Sequence, residues 1–377
     1  MTRTISGLWA QLSAWLMDAR RATYGLALLR IGLGASTVVI LALYLPNLSY
    51  TFGRGSQWGQ ALFRDSSVHS YAAPIGWFFS RGEPDELLVV KTIVLMAVAV
   101  AYALGWRMRV ISPLFVVLWL GFSTLDPVVT NTGHYQTFRL FIIFLLFADT
   151  SFRWSLDSLR RTRNIARHGD SWIPPRFGLG KARLPEWVPV LSNNIAAILI
   201  GYQLCVIYVT SALWKMQGAT WVTGVAAYYP LQVEELTLFP WLNHLAWQIT
   251  PAVFVASWVS IYGQLLFPLM LLNRWTRILG LVLVTGMHAS IAILLALPWF
   301  SLMMILGDMV FVRDQTWRRC ADWVKQRIAR RRSAGVRSRS RPASAGDASD
   351  ASDASGASGA SDVSNVSNAL SAPAGPR

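Results

Sequence analysis

Four residues stand where their surroundings make polarity costly: Arg30, His134, Lys215 and His288. Each lies in or at the edge of a long apolar run, and a charge inside a bilayer costs at least about 2.5–3.5 kcal/mol. Lys215 follows Tyr208-Val209-Thr210-Ser211-Ala212-Leu213-Trp214 and is the sole basic residue between Arg183 and Arg274. Apolar and aromatic neighbours strip an amine of hydration, and a neutral lysine amine is a competent general base. His134 follows Asn131-Thr132-Gly133, and His288 sits among Thr285, Gly286, Met287 and Ser290. Blander readings stand beside these. Arg30 and Lys215 could snorkel to headgroups, and a membrane histidine commonly hydrogen-bonds between helices. Arg30 could otherwise face inward toward a carboxylate, a backbone carbonyl or a substrate oxygen.

The elements that must position these residues are apolar runs. Spanning the hydrocarbon takes about 20 residues, with a range of roughly 17–25. The runs near 24–45, 86–105, 109–125, 135–149, 193–215, 251–272, 276–296 and 298–312 give about eight spans, the fourth and last short. Loop charge orients them, because cytoplasmic loops carry the excess of Lys and Arg. The connection Trp106-Arg107-Met108-Arg109 is basic, and 150–183 carries Arg153, Arg160, Arg161, Arg163, Arg167, Arg176, Lys181 and Arg183. Arg274 and Arg277 mark a third basic connection, and the exit runs from Arg313 through Arg332 to Arg341. In contrast, 126–134 and 216–250 hold neither Lys nor Arg, and the long first loop is mixed. The alternation predicts a polytopic, all-α bundle with both termini in the cytoplasm, which sets Lys215, His134 and His288 in the outer half. The aromatic outer loops 46–85 and 216–250 are expected on the outer interface or folded back over a cavity.

Composition agrees. The chain is 377 residues long, 54% hydrophobic and 14% charged, against about 25% charged in a soluble domain. The net charge of +15 collects between and beside apolar runs, where it suits anionic headgroups rather than nucleic acid. The two cysteines, Cys205 and Cys320, stand on opposite sides of this pattern, so neither a disulfide nor a structural zinc site is expected. Ile5, Leu8, Trp9, Leu12, Trp15 and Leu16 fall at helical spacing, so residues 1–23 read as an interfacial amphipathic helix rather than a cleaved signal. The transmembrane domain is expected over 24–313, a basic juxtamembrane segment over 314–341, and a disordered tail over 342–377, where an Asp-Ala-Ser repeat has almost nothing to bury.

Ala212-Leu213-Trp214-Lys215-Met216, then Trp221-Val222-Thr223-Gly224 and Tyr228-Tyr229, resembles the signature of the HTTM (horizontally transferred transmembrane) family, membrane domains related to vitamin K-dependent γ-glutamyl carboxylase. Leu29-Arg30-Ile31-Gly32, Asn131 to His134 with Phe144-Leu145, Gly286-Met287-His288 and Phe300-Ser301-Leu302-Met303 agree in order. The resemblance covers roughly residues 24–313. It implies that Lys215 matches the lysine held to deprotonate vitamin K hydroquinone. Oxygen then yields a strong base that takes a γ-proton from glutamate, and CO2 adds to the carbanion. His134 and His288 match histidines associated with activity, expected to stabilise the quinone oxygens. Arg30, Trp214 and Trp221 are the residues expected to contact a reduced quinone, and no metal is implied.

This chain departs from the carboxylase where that protein carries a large lumenal β-rich region; here a basic segment and a polar tail follow the spans. Two functions therefore stand: a quinone-linked membrane enzyme with Lys215 as base, or a non-catalytic maturation or export partner of a secreted peptide. A transporter is a third class, and no half-to-half hydropathy repeat points to inverted repeats.

Overall fold

A computed structural model of the chain describes residues 2–56, 78–80, 82–130, 132–168, 185 and 187–339. The tail expected over 342–377, Asn131, most of the first outer loop and the basic stretch 169–183 lie outside the described residues. The chain divides into two compact units, residues 1–321 and 322–377.

The described residues are helical and contain no strand. The main helices are α1 (Thr2–Met17), α2 (Thr23–Tyr44), α3 (Asp85–Leu104), α4 (Met108–Ser123), α5 (Gly133–Leu145) and α6 (Leu156–His168). They continue as α7 (Trp187–Met216), α8 (Pro240–Gln248), α9 (Thr250–Leu265), α10 (Arg274–Leu294), α11 (Pro298–Asp308) and α12 (Asp314–Arg339). Among the described residues, four stretches are long and apolar enough to cross a membrane: Thr23–Phe52, α3, α7 and α10. The pair α8 and α9 also qualifies if taken together, although it bends by 91°. The remaining expected spans coincide with shorter helices, α4 with 16 residues, α5 with 13 and α11 with 11. At about 1.5 Å per residue, none of these three matches a hydrocarbon core of about 30 Å.

Packing sorts unit 1 into two groups. Helices α2 to α5 form one; α7, α9, α10 and α11 form the other; and α2 and α5 join them through α11 and α7. The first group is an aromatic core. Tyr102 stacks on Phe115 with ring centroids 4.4 Å apart, and Trp119 lies 4.6 Å from Phe138. Gly34 lets α2 approach α3 closely, since a Cβ there would sit 2.8 Å from both Ala103 Cβ and the Ala99 carbonyl. Small residues at such crossings let backbones meet and so promote helix association.

Large apolar side chains cover the outside, among them Val90, Ile93, Phe254, Val255, Leu272 and Val282. A water-soluble monomer rarely carries so continuous an apolar surface, whereas lipid accommodates it.

One end of the bundle is joined by polar side chains. Asp314 accepts from the Thr23 and Tyr24 amides at 3.2 Å each, filling the donors that begin α2. Asp157 accepts from the Arg107 and Met108 amides at 3.0 and 2.9 Å, doing the same for α4. Asn194 donates to the Leu16 and Ala19 carbonyls and accepts from the Arg21 amide, which fixes the turn between α1 and α2 on α7. Helix α1 itself presents Trp9, Leu12 and Trp15 to the exterior, a distribution suited to an interface.

At the other end the segment 216–250 folds back onto α9 and α10. The Ala227 amide donates to Ser257 Oγ at 3.0 Å, and Asn243 Nδ2 donates to the Leu294 carbonyl at 2.8 Å. Tyr228 meets Trp247 edge-on at 5.7 Å.

In unit 2 the helix continues to Arg339, with the Arg327 guanidinium 4.9 Å from the Trp323 ring.

Candidate functional site

Helix α7 runs for 30 residues and carries Tyr208 and Lys215 seven positions apart. Seven residues are nearly two turns, so both side chains leave the same face, about 10 Å apart along the axis. On α11, Ser301 and Asp308 have the same spacing. A column of polar side chains therefore follows the α7–α11 side of the second helix group.

Lys215 stands at the upper level. It is half-buried, and its Nζ donates to Gln264 Oε1 on α9 at 2.6 Å. The same nitrogen lies 5.1 Å from the centroid of Trp221, within cation–π range. Trp221 reaches this place through a short helical turn, Ala219–Val222, in which the Trp221 and Val222 amides donate to the Gly218 carbonyl at 3.0 and 3.2 Å. Both partners of the amine are neutral. An amide oxygen can accept from an ammonium or an amine donor, and neither it nor the ring supplies the counter-charge that a carboxylate partner would.

The lower level holds Tyr208, Asp308 and His288. Tyr208 Oη donates to Asp308 Oδ2 at 2.7 Å. The His288 ring lies 5.9 Å from the Tyr208 ring and 5.4 Å from that of Phe300. Asp308 is fully buried and His288 is 1% exposed. Yet Asp308 Oδ1, both ring nitrogens of His288 and Ser301 Oγ have no hydrogen-bond partner. Leaving such a buried group unsatisfied costs about 1–3 kcal/mol.

The expected site residues do not all meet. Lys215 and Trp221 pair at one level of this column, and His288 borders Tyr208 at the other. Trp214 turns away: one residue from Lys215, it leaves the helix about 100° away and is 74% exposed.

His134 sits in the first turn of α5, in another neighbourhood. Its Nδ1 is 3.1 Å from Thr132 Oγ1, and its ring packs 4.5 Å from Tyr135. Tyr135 in turn meets Tyr44 Oη at 3.2 Å and stacks near Trp119. None of these contacts is with Lys215 or His288.

Arg30 is the third case. It is fully buried. Its guanidinium donates to the carbonyls of Tyr102 at 2.8 Å, Ala103 at 2.7 Å and Trp154 at 2.6 Å. The first two are carbonyls at the end of α3, where the helix leaves acceptors without intrahelical donors. Gly105 makes room for it: φ is +68°, and a Cβ there would fall 2.4 Å from Arg30 Nη1. The contact made is the inward-facing one to backbone carbonyls, not snorkelling.

Sequence reasoning passed over Asp308, Tyr208 and Gln264. Asp308 lies close to Arg313 in a short apolar run, so it reads as the edge of a loop. A carboxylate within that run was nevertheless a signal of the same kind as Lys215. Arg139 was also passed over; it lies inside α5, half-buried, with Nη2 3.4 Å from the Thr130 carbonyl.

Among the described residues no group of three or more His, Cys, Asp or Glu side chains converges to hold a metal. Compared with protein-family models, with curated proteins and with solved structures, the chain shows no match.

Proposed function

We propose that the chain is an integral membrane protein of the HTTM, γ-glutamyl-carboxylase-like class, with Lys215 as the general base of a quinol-linked reaction. The observation that carries this reading is the amine of Lys215. It is half-buried and held by the neutral Gln264 and Trp221, and in the same helix group buried polar atoms of His288, Asp308 and Ser301 have no hydrogen-bond partner.

Those atoms fit a reduced quinone. The ligand carries hydroxyl oxygens that both donate and accept, and the column offers acceptors at Asp308 and His288 and donors at Ser301 and His288. When bound, the quinol would supply the reducing electrons. Lys215 would take a hydroxyl proton, His288 would hold the ring by hydrogen bonding, and Asp308, which fixes the Tyr208 hydroxyl through Oδ2, would accept from the ligand through Oδ1. The folded-back segment 216–250 covers this end of α9 and α10 and would keep water from the amine.

The same proposal includes about eight spans in a cell membrane, both termini cytoplasmic and the Lys215 end outward. The support is the alternation of basic and neutral connections. Short helices α4, α5 and α11 would cross as inner members of the bundle, where neighbouring protein rather than lipid meets their ends. The bent pair α8 and α9 would enter from the outer surface.

A second reading, a non-catalytic partner for maturation or export of a secreted peptide, is favoured by the lack of any strand among the described residues. The carboxylase has a β-rich region to engage its protein substrate.

The test is enzymatic. Purified protein in detergent receives a reduced naphthoquinone, oxygen and bicarbonate, and quinone epoxide is measured. Epoxide from wild type and none from Lys215→Ala is the expected result. No epoxide from wild type, or equal yields from both, removes the catalytic reading.

A further inference from the structure

Helix α6 turns its leucines away from the protein. It comprises 13 residues, Leu156–His168. At about 100° per residue, Leu156, Leu159, Arg160, Arg163 and Arg167 share one face, within an arc of about 100°. All five are exposed, Leu156 by 40% and Leu159 by 54%. The side that meets the protein is polar. There Asp157 accepts from the Arg107 and Met108 amides at 3.0 and 2.9 Å. Ser158 Oγ donates to the Ser155 carbonyl at 2.8 Å, and Arg161 Cζ stands 5.7 Å from the centroid of Phe152. A helix packed on a core and bathed in water does the opposite, burying its leucines and exposing its polar residues. Leucine and arginine exposed together are the composition of a helix that lies in a bilayer interface.

The place of α6 in the fold agrees. The Asp157 amide donates to the Gly105 carbonyl at 3.1 Å, which pins the start of α6 where α3 ends and α4 begins. Just before it, the Asp149 amide donates to Asn193 Oδ1 at 3.1 Å, and Asn193 Nδ2 donates to the Arg21 carbonyl at 3.0 Å. Helix α1 therefore joins the bundle at the same end, and it too presents Trp9, Leu12 and Trp15 outward. Neither helix is long and apolar enough to cross a membrane.

Charge identifies what covers this face. The one carboxylate of α6, Asp157, is already bound to amides. Among the described residues, Arg160, Arg163 and Arg167 have no hydrogen-bond or ion-pair partner. Arginine stems can lie along apolar surface while the guanidinium reaches headgroups. Each basic residue held near an anionic surface strengthens the attraction about fivefold.

We propose that α6 docks on the surface of the bilayer that holds the protein, with Leu156 and Leu159 inserted and Arg160, Arg163 and Arg167 on the headgroups of anionic phospholipids. The surface is independent of the reading of Lys215.

The test places a fluorescent probe on the full chain at Ala166→Cys, an exposed position about 20° of arc from Leu159, with Cys205 and Cys320 replaced by alanine. The protein is held in nanodiscs of phosphatidylcholine, alone or mixed with phosphatidylglycerol. Quenching is read from a lipid that carries a nitroxide near its headgroup and, separately, from aqueous iodide. The nitroxide should quench the probe, and more strongly with phosphatidylglycerol present. The R160Q/R163Q/R167Q variant should lower the ratio of docked to undocked helix by about tenfold or more. The R160K/R163K/R167K variant keeps the charge and should dock like wild type, which separates lost charge from lost folding. Four results overturn the proposal: a probe open to iodide and unquenched by the nitroxide, quenching that ignores phosphatidylglycerol, equal loss in the glutamine and lysine variants, or a probe shielded from both quenchers. The last would assign the face to a protein partner or a second copy of the chain.

Discussion

Arg30 in the first helix group and the Tyr208, Asp308 and His288 cluster in the second are treated differently. In the first group, the two Nη atoms of Arg30 donate to three backbone carbonyls at 2.6–2.8 Å, and the nearby Asp157 fills the open amides of α4. In the second, Tyr208 and Asp308 satisfy one another, while Asp308 Oδ1, His288 and Ser301 are left with capacity to bond. Polar groups that close on the backbone fasten helices. Polar groups that stay open in a dry interior lower stability and are the ones with something to offer a ligand. The sequence alone placed Arg30, Lys215 and His288 in one class, since all three are polar residues in apolar runs. Their partners divide them.

The comparison can be broken by substitutions on either side. Lys215→Ala is expected to have the largest effect, a loss of about 100-fold or more in epoxide formation, with thermal unfolding in detergent close to wild type. Arg30→Ala should do the reverse. It removes the guanidinium from the carbonyls of Tyr102, Ala103 and Trp154, at a cost of about 1–3 kcal/mol, seen as a lowered unfolding temperature. If Arg30→Ala unfolded like wild type, the distinction between fastening and open groups would fail.

Asp157→Ala should cost about 1 kcal/mol, as loss of a helix cap does, measured by the same unfolding assay. His134→Ala should change epoxide formation least, less than His288→Ala, because its contacts lie with Thr132 and Tyr135. An equal loss from both histidines would bring His134 into the site.

The helices were legible because lipid-facing runs are long and apolar, so α2, α3, α7 and α10 stand near the residues expected. Helix lengths were less legible. The extents of α4, α5 and α11 depend on which neighbours bury them, and hydropathy carries no such information. Lys215 and Trp221 were legible together because six residues of chain and a turn at Gly218 suffice to join them. Trp214 shows the limit: adjacent in sequence, it faces another way, and helical periodicity would have separated it from Lys215. The partners of Arg30 lie 72–124 residues away and are backbone atoms, which side-chain types do not announce. Asp308 and Gln264 join the column only through helix packing.

The most direct test of the open polar group is binding without turnover. A reduced naphthoquinone kept under nitrogen is titrated by calorimetry into wild type and into Asp308→Asn, which still accepts the Tyr208 hydroxyl. Binding to wild type, with affinity about tenfold weaker in the variant, is the expected result. No binding to wild type, or the same affinity in both proteins, would contradict the assignment of these atoms to a ligand.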